Sequence, residues 1–155
     1  LGNHRHRDAS VIVDLPDLGR VTALGSRIAS RLQIGDVVAL SGPLGAGKTT
    51  LARAIVAASG HAGEVPSPTF TILETYPDCR PPLVHADFYR LDHPRDAAEL
   101  GLDDYRQDAA LIAEWPERAG GFADEPGCLS ITLEAVGEGR RAIVEPGTAW
   151  LGRWG

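Results

Sequence analysis

A chain of 155 residues, 43% hydrophobic and 23% charged, is long enough for one well-cored domain and has too ordinary a composition for a fibrous or disordered protein. A formal net charge of −6 argues against a surface that clamps nucleic acid or an anionic membrane unaided. The cysteines, Cys79 and Cys128, form no C-x-x-C pair and read as free thiols in a reducing, cytoplasmic compartment.

Residues 1–9 read as a polar tail and 10–155 as one domain. The tail carries Arg5 and Arg7 but no apolar run of signal-peptide type, and no run along the chain reaches membrane length. A first short strand is expected at 10–13. Asp17 is placed to cap a helix reaching about Leu32, with Leu18, Val21, Leu24, Ile28 and Leu32 on one face. Residues 33–36 then turn into the apolar run Val37-Val38-Ala39-Leu40-Ser41, as expected of a buried strand.

The segment that follows, Gly42-Pro43-Leu44-Gly45-Ala46-Gly47-Lys48-Thr49, fits the phosphate-binding pattern G-x-x-x-x-G-K-[ST]. After it, apolar residues at 51, 54, 55 and 58 have helical spacing. Strand, glycine loop and helix are the arrangement that nucleotide chemistry needs. Gly42, Gly45 and Gly47 let backbone N–H groups wrap a triphosphate where a Cβ would intrude. The helix opening at Lys48 aims its unpaired N–H groups and positive dipole end at the phosphates. Lys48 is expected to reach the β- and γ-phosphates, Thr49 to ligate Mg²⁺ through its hydroxyl, and Thr50 to touch the α-phosphate. Lys48 is the chain's sole lysine, so the bias to arginine elsewhere spares the position where a compact ammonium is required.

The loop helix is expected to stop at Ser59-Gly60. A proline-stiffened loop over 61–68 leads to a β-rich run at 69–76, and a second strand is read over 83–89. Pro94 and Asp96 open a short helix that Gly101 ends. A buried strand follows at 109–115, then a hairpin of 129–134 and 141–145, then a short helix after Thr148. Helix-linked strands early and hairpin-linked strands late predict an α/β fold of P-loop NTPase type: a mixed central β-sheet with helices on both faces.

A P-loop enzyme needs an acid at a neighbouring strand end to hold Mg²⁺, directly or through water. Asp87 follows Leu83-Val84-His85-Ala86, and Glu114 follows Ala110-Leu111-Ile112-Ala113. Position alone leaves open which of them is the direct ligand.

Taken together, residues 42–50, Ser-Pro-Thr-Phe at 67–70, His-Ala-Asp-Phe-Tyr-Arg-Leu at 85–91, Glu-Leu-Gly-Leu-Asp-Asp-Tyr at 99–105 and Glu-Trp-Pro-Glu-Arg at 114–118 resemble the bacterial TsaE (YjeE) family. The order and spacing agree over about 11–145. The resemblance implies an ATPase needed for threonylcarbamoyl-adenosine (t6A) at position 37 of tRNAs that read codons beginning with A. It implies TsaB and TsaD as partners, with tRNA engaged through that complex. It makes Gly45, Ala46, Gly47, Lys48, Thr49 and Thr50 the phosphate-binding segment, and Thr49 and Glu114 Mg²⁺ ligands. Asp87 matches an acid of hydrolysis, Thr69 lies in a switch-like loop, Trp115 matches an aromatic tied to activity, and Gly139-Arg140 resembles a pair near the base. Where the family often has a threonine near adenine, this chain has Val21-Thr22, so the sequence leaves the base contacts unassigned.

A metabolite kinase and a nucleotide-dependent assembly module are the competing readings. A GTPase is disfavoured because N-K-x-D needs a second lysine. No arginine lies within 42–50 or 65–70, and Arg53 sits one turn into the helix. The isolated chain is therefore expected to hydrolyse ATP slowly, with Arg90 the nearby residue that would offset this.

Overall fold

The computed structural model describes residues 10–66 and 72–154, and a seven-stranded sheet organises them. In chain order the strands are β1 (Val11–Leu15), β2 (Val37–Ser41), β3 (Leu73–Tyr76), β4 (Leu83–Asp87), β5 (Ala110–Glu114), β6 (Cys128–Val136) and β7 (Gly139–Pro146). The helices are α1 (Leu18–Ala29), α2 (Lys48–Ala58), α3 (Arg95–Glu99), α4 (Leu102–Arg106) and α5 (Leu151–Trp154). Across the sheet the order is β1-β7-β6-β2-β5-β4-β3. The four strands β6, β2, β5 and β4 are parallel, and antiparallel strands complete both edges.

Period-two alternation decides which layer each strand residue meets. Val38, Leu40, Ile112 and Ile131 join Leu24 and Ile28 of α1 and Leu51 and Ile55 of α2. Val37, Ala39, Val84 and Leu111 join Phe88, Ala97 of α3, Leu102 of α4 and Phe122 on the other face. Both faces are covered, which is why β2 and β5 read as unbroken apolar runs. The expected α/β sheet with helices on each side is the one that forms.

Asp17 caps α1, its carboxylate accepting from the Arg20 N–H at 2.9 Å. Gly25 lies mid-helix, where a glycine is costly. A Cβ there would stand 2.6 Å from the Ala54 Cβ, so the glycine is what lets α1 lie against α2. The C-terminal segment closes the far end of α1. Arg27 donates to the Trp154 carbonyl at 2.7 Å, and Arg153 pairs with Asp36 at 2.7 Å.

Some boundaries differ from the sequence reading. α1 stops at Ala29 rather than near Leu32, because Ser30 caps it and its hydroxyl bonds back to the Arg27 carbonyl. Of the run expected as a strand over 69–76, Leu73–Tyr76 is strand and Ile72, at φ 66°, departs from extended backbone; 69–71 lie outside the described residues. β4 ends at Asp87, since the Tyr89 N–H turns back to the Asp87 carboxylate at 3.0 Å. Gly101 ends one helix as expected and also opens α4, which the sequence reading lacked. Among the described residues no helix is long and apolar enough to cross a membrane.

Candidate nucleotide-binding site

The glycine loop runs from the end of β2 into α2, as its spacing required. Gly42 has φ 137°, and a Cβ on it would lie 2.4 Å from the Leu133 carbonyl oxygen, so only glycine lets the loop pass β6. Among the described residues no side chain caps α2, whose N-cap is Gly47. Its first N–H groups are therefore available to an anion at the helix's positive end.

Lys48 is 5% exposed. Its Nζ donates to the carbonyls of Gly42 at 2.6 Å and Pro43 at 2.8 Å. An ammonium has three donors, so one remains for a phosphate while two anchor the charge under the loop. Burial pulls its pKa below the ordinary lysine value, and Glu114, Asp87 and Glu117 oppose that shift. The indole of Trp115 covers the ammonium, with the ring centroid 4.4 Å from Nζ.

Residues 83, 85 and 87 of β4 and 110, 112 and 114 of β5 turn toward α2, and the register sets Asp87 beside Glu114. Glu114 is 2% exposed. Its Oε1 accepts from the Thr49 hydroxyl at 2.7 Å, and its Oε2 lies 2.6 Å from Nε2 of the buried His85. Asp87 is half-buried, and burial pushes its pKa above the ordinary carboxylate value. The Tyr89 N–H and the Lys48 ammonium counter that push, and the Glu114 charge adds to it. Among the described residues no three His, Cys, Asp or Glu side chains form a ready-made cage for a metal ion. Magnesium takes one or two protein oxygens and completes its shell with water and phosphate. Adjacent oxygens of a magnesium octahedron lie about 2.9 Å apart, close to the Thr49–Glu114 separation.

These groups line a cavity of about 440 Å³, together with Tyr89, Arg90 and Arg140. Trp115 takes a left-handed conformation, φ 56°, which turns its ring over the cavity and against Tyr89 at 4.9 Å between centroids. Arg140, brought from the β7 start, donates to the Gly45 carbonyl at 3.1 Å. A second cavity of about 230 Å³ adjoins it, sharing Gly47, Thr50 and Arg140. Leu15, Pro16, Leu18, Val21 and Leu133 make its wall apolar, while Asp17 and Glu138 supply polar edges. The cavity beside the phosphate loop thus opens onto a smaller one with a mainly apolar wall.

Residues 15–143 match the family model described as threonylcarbamoyl adenosine biosynthesis protein TsaE. The chain belongs to the TsaE family. It is 48% identical over 97 residues to the tRNA threonylcarbamoyladenosine biosynthesis protein TsaE of Streptomyces coelicolor, covering 61% of this chain and 66% of that one. The protein of the same name from Mycobacterium tuberculosis strain H37Rv is 43% identical over 112 residues, covering 66% and 67%. The chain thus spans about two thirds of the length of these TsaE relatives. Among solved structures it resembles YdiB of Bacillus subtilis, with a TM-score of 0.75 and 27% identity over 93% of this chain and 90% of that one. The fold is a P-loop NTPase fold.

The structure brings Gly42, Gly45, Ala46, Gly47, Lys48, Thr49, Thr50, Asp87, Glu114, Trp115 and Arg140 to one end of the sheet, around these adjoining cavities or the loop between them. Thr69 lies outside the described residues. Arg53 holds the Val65 carbonyl at 2.9 Å, on the loop that precedes the undescribed stretch. The phosphate loop carries no arginine of its own, yet Arg140 and Arg90 both line the cavity. The sequence reading named His85 only within a motif and missed its contact with Glu114. Its spacing of two from Asp87 on one strand was the available signal. Leu15, Pro16, Leu18 and Leu133 were also missed as cavity walls, because the sequence does not say that the β6–β7 hairpin faces the N-terminus of α1.

Proposed function

We propose that the chain is a magnesium-dependent ATPase that supports formation of t6A on tRNA, acting with TsaB and TsaD. One observation carries the reading: the Thr49–Glu114 pair, Asp87 and the Lys48 ammonium converge at the mouth of an uncapped helix N-terminus. The family membership and the relatives' names supply the pathway.

In this reading the N–H groups of 45–50 cradle the phosphates, and Lys48 gives its remaining donor to the transferring end. Thr49 and Glu114 would hold Mg²⁺, which when bound neutralises charge on the phosphate oxygens. Asp87, kept beside them by the sheet register, takes the hydrogen bond of the attacking water and orients it. Trp115 shields Lys48 from bulk water, strengthening its attraction for phosphate. The base enters the apolar cavity beside Val21 and Leu133. The net charge of −6 supports a division of labour in which the partners hold the tRNA.

The test is t6A formation on unmodified tRNA with TsaB, TsaD, threonylcarbamoyl donor and ATP, with and without this chain. The reading expects multiple rounds of modification only when the chain is present, and none with Lys48→Ala. Equal yields with and without the chain would defeat it.

A further inference from the structure

We propose that His85 is a positioning residue for the magnesium site, a fixed Nε2–H donor that holds the Glu114 carboxylate with Oε1 turned to Thr49. The inference rests on the reading of Thr49 and Glu114 as the metal-holding pair. His85 is 0% exposed, in the middle of β4. Its Nε2 lies 2.6 Å from Glu114 Oε2, and its Nδ1 has no hydrogen-bond partner among the described residues. A buried unpaired N–H is rarer and costlier than an under-used acceptor. The proton therefore sits on Nε2, and the bare Nδ1 faces the core. One tautomer is thus specified, with its donor aimed at a single carboxylate oxygen.

The geometry gives that donor a task. Thr49 holds Oε1 only while its hydroxyl proton points at Glu114. Whichever way that hydroxyl rotates, the bond from His85, whose ring is buried in β4, still holds the carboxylate's rotation. Buried partners of ligating carboxylates commonly act this way, and losing them weakens metal binding about 10- to 100-fold. A volume-filling role would be met by leucine; a positioning role requires a donor at the Nε2 place. Glutamine puts an amide N–H close to that point, whereas asparagine reaches only to the Nδ1 place.

The experiment measures Mn²⁺ binding in the presence of ADP by the loss of the free-ion electron paramagnetic resonance signal. Metal-free ADP affinity is measured in parallel by calorimetry. His85→Leu is expected to weaken Mn²⁺ binding about 10- to 100-fold while metal-free ADP affinity stays within about twofold. His85→Gln is expected to restore most of the metal affinity and His85→Asn little of it. A His85→Leu protein that binds Mn²⁺ like the wild type overturns the inference. If that variant fails to fold, the Gln and Asn pair decides, and equal Mn²⁺ affinities for the two overturn it. Wild-type protein that binds ADP with no dependence on Mn²⁺ overturns the metal-site reading and this inference together.

Discussion

Replacing Glu114 by glutamine separates the electrostatic part of the site from its packing. The change preserves shape and removes a charge. In the wild type the carboxylate takes one hydrogen bond from Thr49 and one from His85. In Glu114→Gln the amide oxygen can keep the His85 donor, and the amide N–H can donate to a Thr49 hydroxyl turned to accept. Two charge-assisted bonds become two neutral ones, a loss of about 1 kcal/mol each. Against that, a side chain that is 2% exposed no longer buries a charge, a relief of comparable or larger size. Stability should thus stay within about 1 kcal/mol of the wild type, or about 2–4 °C in Tm for a domain this size. Metal binding has no such compensation, because amide hydrogens now point where a cation would sit. The Mg²⁺ concentration for half-maximal ATP binding should rise at least about tenfold, or about 1.4 kcal/mol. Calorimetric ATP titrations at graded Mg²⁺, paired with thermal melts, read both quantities. A mutant whose Mg²⁺ dependence overlays the wild type would refute the assignment of Glu114 and shift it to Asp87.

Lys48→Arg should abolish ATP hydrolysis, because a wide guanidinium cannot sit under the Gly42 and Pro43 carbonyls; a near-normal kcat in phosphate release would contradict this. Val21→Trp fills the apolar cavity and should raise the Kd for ATP at least tenfold while leaving inorganic tripolyphosphate binding unchanged; equal losses for both ligands would place the base elsewhere. Asp87→Asn should raise Tm at neutral pH and slow hydrolysis. Burial lifts the folded-state pKa of Asp87, so its ionised form costs stability above that value. The mutant's advantage should shrink as pH falls through the folded pKa and vanish below the ordinary carboxylate range, where the wild-type acid is neutral in both states. Melts showing an advantage that grows on acidification would reverse the sign.

Local chemistry made the phosphate half of the site legible in the sequence. The glycine spacing, the lone lysine and the strand-end acids each lie in a short stretch, and the structure gathers those stretches around one cavity. Register did the rest: parallel pairing puts Asp87 beside Glu114, and period two puts His85 under Glu114. The apolar cavity proposed for the base was not legible, because its wall joins Leu15 and Val21 to Leu133 and Arg140, more than a hundred residues away. Only the antiparallel pairing of β1 with β7 brings those segments together, and no local pattern encodes a partner at that distance. Gly101 misled for the opposite reason. A glycine with positive φ serves as the end of one helix and the start of the next, and the sequence shows only one glycine.

ATP hydrolysis by this chain is proposed to drive repeated t6A formation. The most direct test counts phosphate released and t6A formed in one reaction containing the chain, TsaB, TsaD, threonylcarbamoyl donor and excess unmodified tRNA. With ATP, phosphate release by the mixture should exceed that of the chain alone, and t6A should accumulate over many turnovers. With a non-hydrolysable ATP analogue, t6A formation should stop after about one turnover per complex. Continuous turnover with the analogue would contradict the account and leave nucleotide binding alone as the chain's contribution.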